Sequence, residues 1–310
     1  MNFITQAENF LEGIRTSNRG AAKKATLRSY EGLLLNHLLP ALGQSDLEAI
    51  GNGALKNLVI SLKSKNLSAS TIQSCLSLTK QIVGSAVNED GDKLYPRDWN
   101  NKFIDAPAIV QSKQDAPTTH GKAISEALGR DFTQDKALWA LLAGSGLRIG
   151  EALALMVGED DGKNSFWNPA EGTITIRSTV VEGEIQFSPK TDAGNREIDL
   201  EPELNVYLVK FFIRNLVRDP GLLFRSETGG IFRLSSGYQH LPSTIPGFHS
   251  LRRFRITHLR KLGVPDGLIE FWAGHAKKTI TDRYDKIGQD VETRKLWAEK
   301  AGLGFNLGAR

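Results

Sequence analysis

The chain has 310 residues, 40% of them hydrophobic and 24% charged, which is ample for one large domain or two ordinary ones. Its formal charge of +4 permits a polyanionic partner without demanding one. Cys75 is the only cysteine, which excludes an intrachain disulfide and a cysteine-built metal cluster and fits a reducing, cytoplasmic setting.

The opening residues lack the basic-then-apolar order of a secretory signal. No apolar run approaches the roughly 20 residues needed to span a bilayer. The first stretch reads as helices, with Phe3, Phe10, Leu11 and Ile14 at helical spacing. Thr26 is expected to cap a second helix whose face is Leu27, Tyr30, Leu33, Leu34, His37 and Leu38, closed by Pro40 and Gly43. Leu55, Leu58, Val59 and Leu62 form a third stripe. Ser70 is expected to cap a fourth helix carrying Ile72, Leu76, Thr79, Ile82 and Val83. The reading is a small bundle over 1–88, with Lys23, Lys24, Arg28, Lys63 and Lys65 distributed along it. The span 89–120, with NEDGDKLYPRDWNN, Pro107 and Pro117, breaks the pattern and reads as an interdomain connection.

A second domain is expected over 121–310. It opens with helices near 123–128 and 135–143, the latter capped by Thr133 and ended by Gly144. The period then changes. TITIRSTV (173–180), GEIQFS (183–188) and REIDL (196–200) read as three strands, joined by turns at Glu182-Gly183 and Asp192-Ala193-Gly194. Helices resume near Glu203, Ser250, Pro265, Thr279 and Gln289. The fold class is therefore mainly α with a small antiparallel β-sheet.

The stretch GSGLRIGEALAL (144–155) resembles a phosphate cradle at first sight. A dinucleotide fingerprint needs G-x-G-x-x-G directly after a strand. Here the third glycine, Gly150, comes one residue late, and the preceding DKALWALLA is helical in pattern. No Gly-Lys-Ser/Thr follows, so a Walker loop fails too. The glycines read instead as a bend between two helices that presents Arg148, with Glu151 on the same face. Taken alone, that pair is most simply a surface ion pair.

Other segments add to it. His249 and Arg252 lie three apart at the start of a helix, a setting that suits a phosphate. Gly274 ends a short helix and leaves His275 just beyond it, with Tyr284 nine residues on, among Lys277, Lys278, Arg283 and Lys286. Lys190 sits at a hairpin. Each residue alone has an ordinary reading as a core, surface or solvated group.

Together the set resembles the tyrosine recombinase (phage integrase) family. The resemblance is carried by GLRIGE (146–151), PKTDAGNRE (189–197), HSLR (249–252), GH (274–275) and Tyr284, in the family's order. It covers nearly the whole chain, the first ninety residues being similar to the family's helical core-binding domain. Two departures are Arg253, where the family often has a histidine, and Ala276-Lys277-Lys278 after Gly-His. The resemblance implies an N-terminal core-binding bundle and a C-terminal catalytic domain that together clamp duplex DNA, with little room for a further arm-binding domain.

It also implies strand cleavage through a covalent 3′-phosphotyrosyl intermediate. Tyr284 would be the nucleophile, and Arg148 and Arg252 would grip the scissile phosphate. His249 would be the base, Lys190 the acid for the leaving 5′ oxygen, and His275 a further phosphate donor, with Glu151 orienting its neighbours. Candidate DNA contacts are Lys23, Lys24, Arg28, Lys63 and Lys65 on the bundle, and Arg253, Arg255, Lys277 and Lys278 on the second domain.

No cofactor and no metal are expected. His240, His249, His258 and His275 lack metal-ligand spacing, and no paired carboxylates of the two-metal type are evident. The implied partners are a specific recombination site, three further copies in a synaptic tetramer, and accessory proteins; off DNA the chain is expected to be monomeric or weakly oligomeric. The glycine-punctuated tail after 289 either caps its own domain or docks on a neighbouring copy. Two other readings stand beside this one. A type IB topoisomerase would share the chemistry but relax DNA without site preference; the bundle and the short tail favour the recombinase. A non-catalytic DNA-binding regulator would have no need of all six groups.

Overall fold

The computed structural model describes residues 1–18, 20–110, 117–187, 195–214, 221–275 and 287–308. They form two compact units, dividing after Gln114.

The first unit is helical: α1 Phe3–Arg15, α2 Lys24–Leu33, a π turn Leu34–Leu38, α3 Leu39–Leu42, α4 Asn52–Ser64, α5 Ala69–Gly84 and α6 Asn101–Ile104. Helix α5 buries Ile72, Cys75, Leu76, Leu78, Thr79, Ile82 and Val83, a stripe at three- and four-residue steps. They pack with Phe3, Leu38, Leu47, Leu55 and Leu62 in one core. Two expected caps move. Ser68, not Ser70, caps α5 by accepting from the Thr71 N–H at 3.1 Å. Helix α2 starts at Lys24 with no side-chain cap, so Thr26 lies within its first turn. Pro40 does not end the helix outright. The π turn Leu34–Leu38 comes directly before α3, which carries Pro40 in its first turn, where a missing N–H is tolerated.

Much of the span expected as a connection folds onto this unit. Arg97 donates to the carbonyls of Ile50, Leu47 and Glu48, the last at 2.7 Å. Asn100 N–H donates to Asn52 at 2.9 Å, and Tyr95 and Trp99 pack on the core. Its Pro and Asp residues signalled irregular backbone, but its aromatic residues and Arg97 tie that backbone down.

The second unit contains α7 Gly121–Leu128, α8 Gln134–Ser145 and α9 Ile149–Leu153, then β1 Leu155–Val157, β2 Ser165–Asn168, β3 Thr173–Ile176, β4 Ser178–Val181, β5 Glu184–Phe187 and β6 Arg196–Asp199. It continues with α10 Pro202–Arg214, β7 Gly221–Leu222, α11 Leu234–Gln239, α12 Phe248–Lys261, α13 Asp266–Ala273 and, after a short 3-10 turn, α14 Val291–Ala301. Thr133 caps α8 as expected. Every residue from Ala137 to Ser145 is buried, so α8 is apolar all round and forms the axis of the domain. Its end is Gly146 rather than Gly144: Gly146 takes φ +74° and closes the helix onto the Leu142 carbonyl at 3.0 Å. Gly144 lies inside the helix, where Leu204 leaves no space for a Cβ.

The sheet differs from expectation. Five strands run in the order β6-β3-β2-β1-β7, with β1 parallel to β2 and the other pairings antiparallel. The stretch TITIRSTV is two strands, because β4 leaves to pair with β5 in a separate hairpin. The break is built by side chains. Ser165 Oγ accepts from the N–H groups of Arg177 and Ser178, both at 2.9 Å, and the Arg177 guanidinium turns out to Asp160. Glu182 and Gly183 both have positive φ, as a two-residue hairpin turn requires. The expected turn at Asp192-Ala193-Gly194 lies outside the described residues.

The tail lies on its own domain. Leu303 is buried, Phe305 packs on Phe254, and Asn306 N–H donates to Ser125 Oγ at 2.9 Å. Among the described residues no helix is long and apolar enough to cross a membrane.

Candidate active site

The bend at Gly146 places Arg148 at the mouth of α9. The Arg148 N–H donates to Glu151 Oε2 at 2.8 Å, closing the first turn, and its Nη1 donates to Oε1 at 2.9 Å. Gly150 allows this helix to lie against the β4–β5 hairpin: a Cβ there would sit 2.5 Å from the Val180 carbonyl oxygen and 2.7 Å from Thr179 Oγ1. The Arg148 side chain is 44% exposed, whereas Glu151 beneath it is only 6% exposed.

Arg252 comes from the first turns of α12 and is 2% exposed. Its guanidinium donates to the Gly146 carbonyl at 2.7 Å, to the Ala273 carbonyl at 2.6 Å and to His275 Nε2 at 3.1 Å. A guanidinium can only donate, so this His275 nitrogen accepts and the ring carries its proton on Nδ1. Burial, with the nearby Arg148 charge, pushes the Arg252 guanidinium down to about 10, which leaves it protonated at neutral pH. His249, one turn before it, keeps its ring at the surface. Partial burial lowers its tendency to protonate, and the positive charges of Arg253, Arg252 and Arg148 lower it further.

A third arginine completes the floor. Arg196, the first residue of β6, is buried and donates to Glu151 Oε1 at 3.1 Å and Oε2 at 2.9 Å. Burial acts to raise the Glu151 carboxyl, but the bonds and charge of Arg196, then Arg148, outweigh it and hold the group below the ordinary carboxylate range. Arg196 Nε also donates to the Trp272 carbonyl at 2.8 Å, and Arg148 Nη2 reaches the Gly274 carbonyl at 3.2 Å. Three successive carbonyls at the end of α13 (Trp272, Ala273, Gly274) are thus each met by a different arginine. This is where a helix leaves carbonyls unpaired and its dipole is negative. Two guanidiniums on one carboxylate, with the Arg252 guanidinium close by, make a site whose described donors suit an anion.

The structure therefore brings together Arg148, Glu151, His249, Arg252 and His275 from three segments, with Arg196 from a fourth. Lys190, Tyr284, Lys277 and Lys278 lie outside the described residues. Arg255 is corrected: it is 3% exposed and its guanidinium donates to the Gly302 carbonyl at 2.5 Å, so it holds the tail and offers nothing to a surface ligand. It falls on the inner side of α12, a position that the run of arginines in LRRFR conceals. Arg253 is half-buried and donates to the Pro117 carbonyl at 2.6 Å. Lys23, Lys24, Arg28, Lys63 and Lys65 are exposed on the first unit.

Sequence reasoning missed Arg196 as part of the site. One signal was present: in REIDL, Arg196 shares the inward face of Ile198, and an arginine on an apolar face needs a partner. A second buried cluster was missed as well. Arg294, on α14, donates to Asp199 Oδ2 at 2.8 Å, to Glu197, and to the Gly288 carbonyl at 2.9 Å. Trp272 Nε1 donates to the same Asp199 oxygen at 2.9 Å.

No family profile matches the chain, and no curated protein matches it by sequence. Solved structures do match. The Tn1549 transposon integrase (residues 82–397), in complex with transposon right end DNA, aligns with a TM-score of 0.65 at 19% identity, covering 94% of this chain and 99% of that one. A lambda integrase (75–356) dimer bound to a COC′ core site aligns with a TM-score of 0.59 at 14% identity, covering 94% and 98%. A lambda integrase tetramer bound to a Holliday junction aligns with a TM-score of 0.58 at 15% identity, covering 93% and 80%. Over nearly its whole length, the chain has the fold of the tyrosine recombinases.

Proposed function

We propose that the protein is a site-specific DNA recombinase that breaks and rejoins strands through a 3′-phosphotyrosyl intermediate. The observation that carries this reading is the convergence of Arg148, Arg252, His249 and His275 over a buried Glu151, in the order and fold that the sequence resemblance implies. The negative charge of a phosphodiester grows on its non-bridging oxygens as a nucleophile attacks. Arg148, half-exposed, supplies forked, charge-assisted donors for those oxygens, and Arg252, buried behind it on the Gly146 and Ala273 carbonyls, adds positive charge. His275 adds a further donor. Tyr284 attacks; a phenol ionises only near pH 10, so it needs a base or a strongly positive pocket. His249, whose tendency to protonate is lowered by partial burial and by its cationic neighbours, is the base. Lys190 protonates the departing 5′ oxygen, and Glu151 orients Arg148.

The partner in this reading is duplex DNA at a specific site. Lys23, Lys24, Arg28, Lys63, Lys65, Arg253, Lys277 and Lys278 contribute to its binding, which weakens steeply with salt. The first unit acts as the core-binding domain, and the two units clamp the duplex. The integrase complexes that share the fold favour a dimer on one site and a tetramer at synapsis. No cofactor takes part, because the phosphotyrosyl bond conserves the energy needed for rejoining.

The test uses a pool of nicked suicide duplexes with a randomised core, in EDTA and without ATP. The wild type is expected to become covalently joined to a 3′ phosphate on a subset of the pool. Tyr284→Phe is expected to bind that subset and trap nothing; an adduct that survives this substitution would exclude Tyr284 as the nucleophile. Relaxation of supercoiled DNA without site preference would support a topoisomerase instead.

A further inference from the structure

Arg196 has a place in the site that neither its sequence position nor the proposed chemistry assigns. Its side chain is 1% exposed, so it cannot itself meet a DNA phosphate. Its bonds to described residues reach two parts of the site. One is the Glu151 carboxylate, which it holds by both oxygens at 3.1 and 2.9 Å. The other is the end of α13, through the Trp272 carbonyl at 2.8 Å.

Gly274 gives independent support. At φ +62° it turns the chain out of α13, and a Cβ there would lie 2.7 Å from Arg196 Nη1 and 2.8 Å from its Cζ. The glycine next to His275 is thus required twice, by its backbone angle and by the guanidinium pressed against it. Glu151 in turn holds Arg148 through the backbone at 2.8 Å and the side chain at 2.9 Å. Held on the far side by Arg196, the carboxylate cannot rotate away, and the half-exposed Arg148 guanidinium has a fixed base.

We infer that Arg196 is a positioning residue for strand cleavage, acting through Glu151 to set the attitude of Arg148 and through Gly274 to seat His275. This rests on the recombinase reading above. A group that orients a donor affects the reacting geometry rather than the binding of a long duplex, and a misplacement of about 1 Å can cost about a hundredfold in rate. A fork is needed, because one side chain must span two carboxylate oxygens and a carbonyl; lysine carries the charge but not the fork.

The test compares Arg196→Lys, Arg196→Met, and Arg196→Met combined with Glu151→Gln. The double variant removes the buried carboxylate charge that the single change would leave with Arg148 as its partner among the described residues, so it is the one expected to fold when Arg196→Met does not. The probe is the nicked duplex recovered from the wild type's own adducts. We expect the double variant to melt and bind this duplex as the wild type does, but to form adduct about a hundredfold more slowly. Arg196→Lys should lie between the two.

Adduct formation by the folded double variant within about threefold of the wild type would overturn the inference. So would a parallel loss of affinity and rate, which marks general damage. If the double variant does not fold, Arg196→Lys decides, since it must lose rate with its affinity intact. Absence of any wild-type adduct would overturn the recombinase reading and this inference with it, whereas a reactive wild type with an equally reactive variant overturns the inference alone.

Discussion

Two buried charge clusters meet at Trp272, and they have opposite stoichiometry. At its carbonyl end, among the described residues, the guanidiniums of Arg148 and Arg196 hold the single carboxylate of Glu151, and that of Arg252 lies close by on the Ala273 carbonyl. At its indole, the single guanidinium of Arg294 serves the two carboxylates of Asp199 and Glu197. The first cluster has surplus positive charge and ends in a half-exposed arginine. In the second the cation is enclosed: Arg294 is 4% exposed and donates through Nε, Nη1 and Nη2, and only the Glu197 carboxylate reaches the surface. Burial of charge therefore does not by itself mark a site. An anion-binding site is a cluster left one anion short, with an open end where that anion can arrive.

Breaking each cluster should have a different consequence. The largest effect is expected on the open one. Arg148→Ala removes a donor from the charge that develops on the phosphate. Adduct formation should fall about 10²–10³-fold, while the variant still binds duplex in a filter assay. An unchanged rate would show that the surplus charge is not used for chemistry.

The closed cluster should govern stability instead. Arg294→Met strands the buried Asp199 carboxylate and should cost about 3–5 kcal/mol in a denaturant melt, with the DNA affinity of the folded protein unaltered. A variant that keeps its stability but loses DNA affinity would reverse the assignment of the two clusters.

The smallest effect concerns the field of the open cluster. Positive neighbours disfavour a protonated ring, so His249 should titrate below the ordinary imidazole value of about 6.5. Arg253→Gln removes one such neighbour, so the midpoint should move up. With His249 as base, which must be neutral to act, the acid limb of the cleavage profile should move up with it. Imidazole proton NMR across the titration reads the first shift directly. A midpoint that moves down would refute the surplus-positive description.

These clusters also show what was legible in the sequence. Arg148, Glu151, His249, Arg252 and His275 could be read because they lie in short local patterns, at a helix start or just after a helix-ending glycine. The bundle was legible because each of its longer helices shows one apolar stripe. Arg196, Asp199 and Arg294 could not be read in the same way, since their partners lie 45, 73 and 95 residues away, and no local pattern reports such pairing. Arg255 was misread for the related reason that an arginine among arginines looks solvated until its side of the helix is known. The strand break at Arg177 was missed because two serines, not a turn residue, create it. In the span 89–120, proline and aspartate signalled irregular backbone correctly but gave no sign that Arg97 would fasten it to the bundle.

Gly150 carries one more implication. Because its missing side chain is what lets the backbone of α9 touch the carbonyl of Val180 and the hydroxyl of Thr179, the helix and the hairpin share a common wall with no mortar in it. Any heavier residue there would have to push the two apart, shifting the β4–β5 hairpin against the helix that carries Arg148 and Glu151. A single methyl group would then act as a wedge, disturbing the arginine–glutamate pair without removing any charged group.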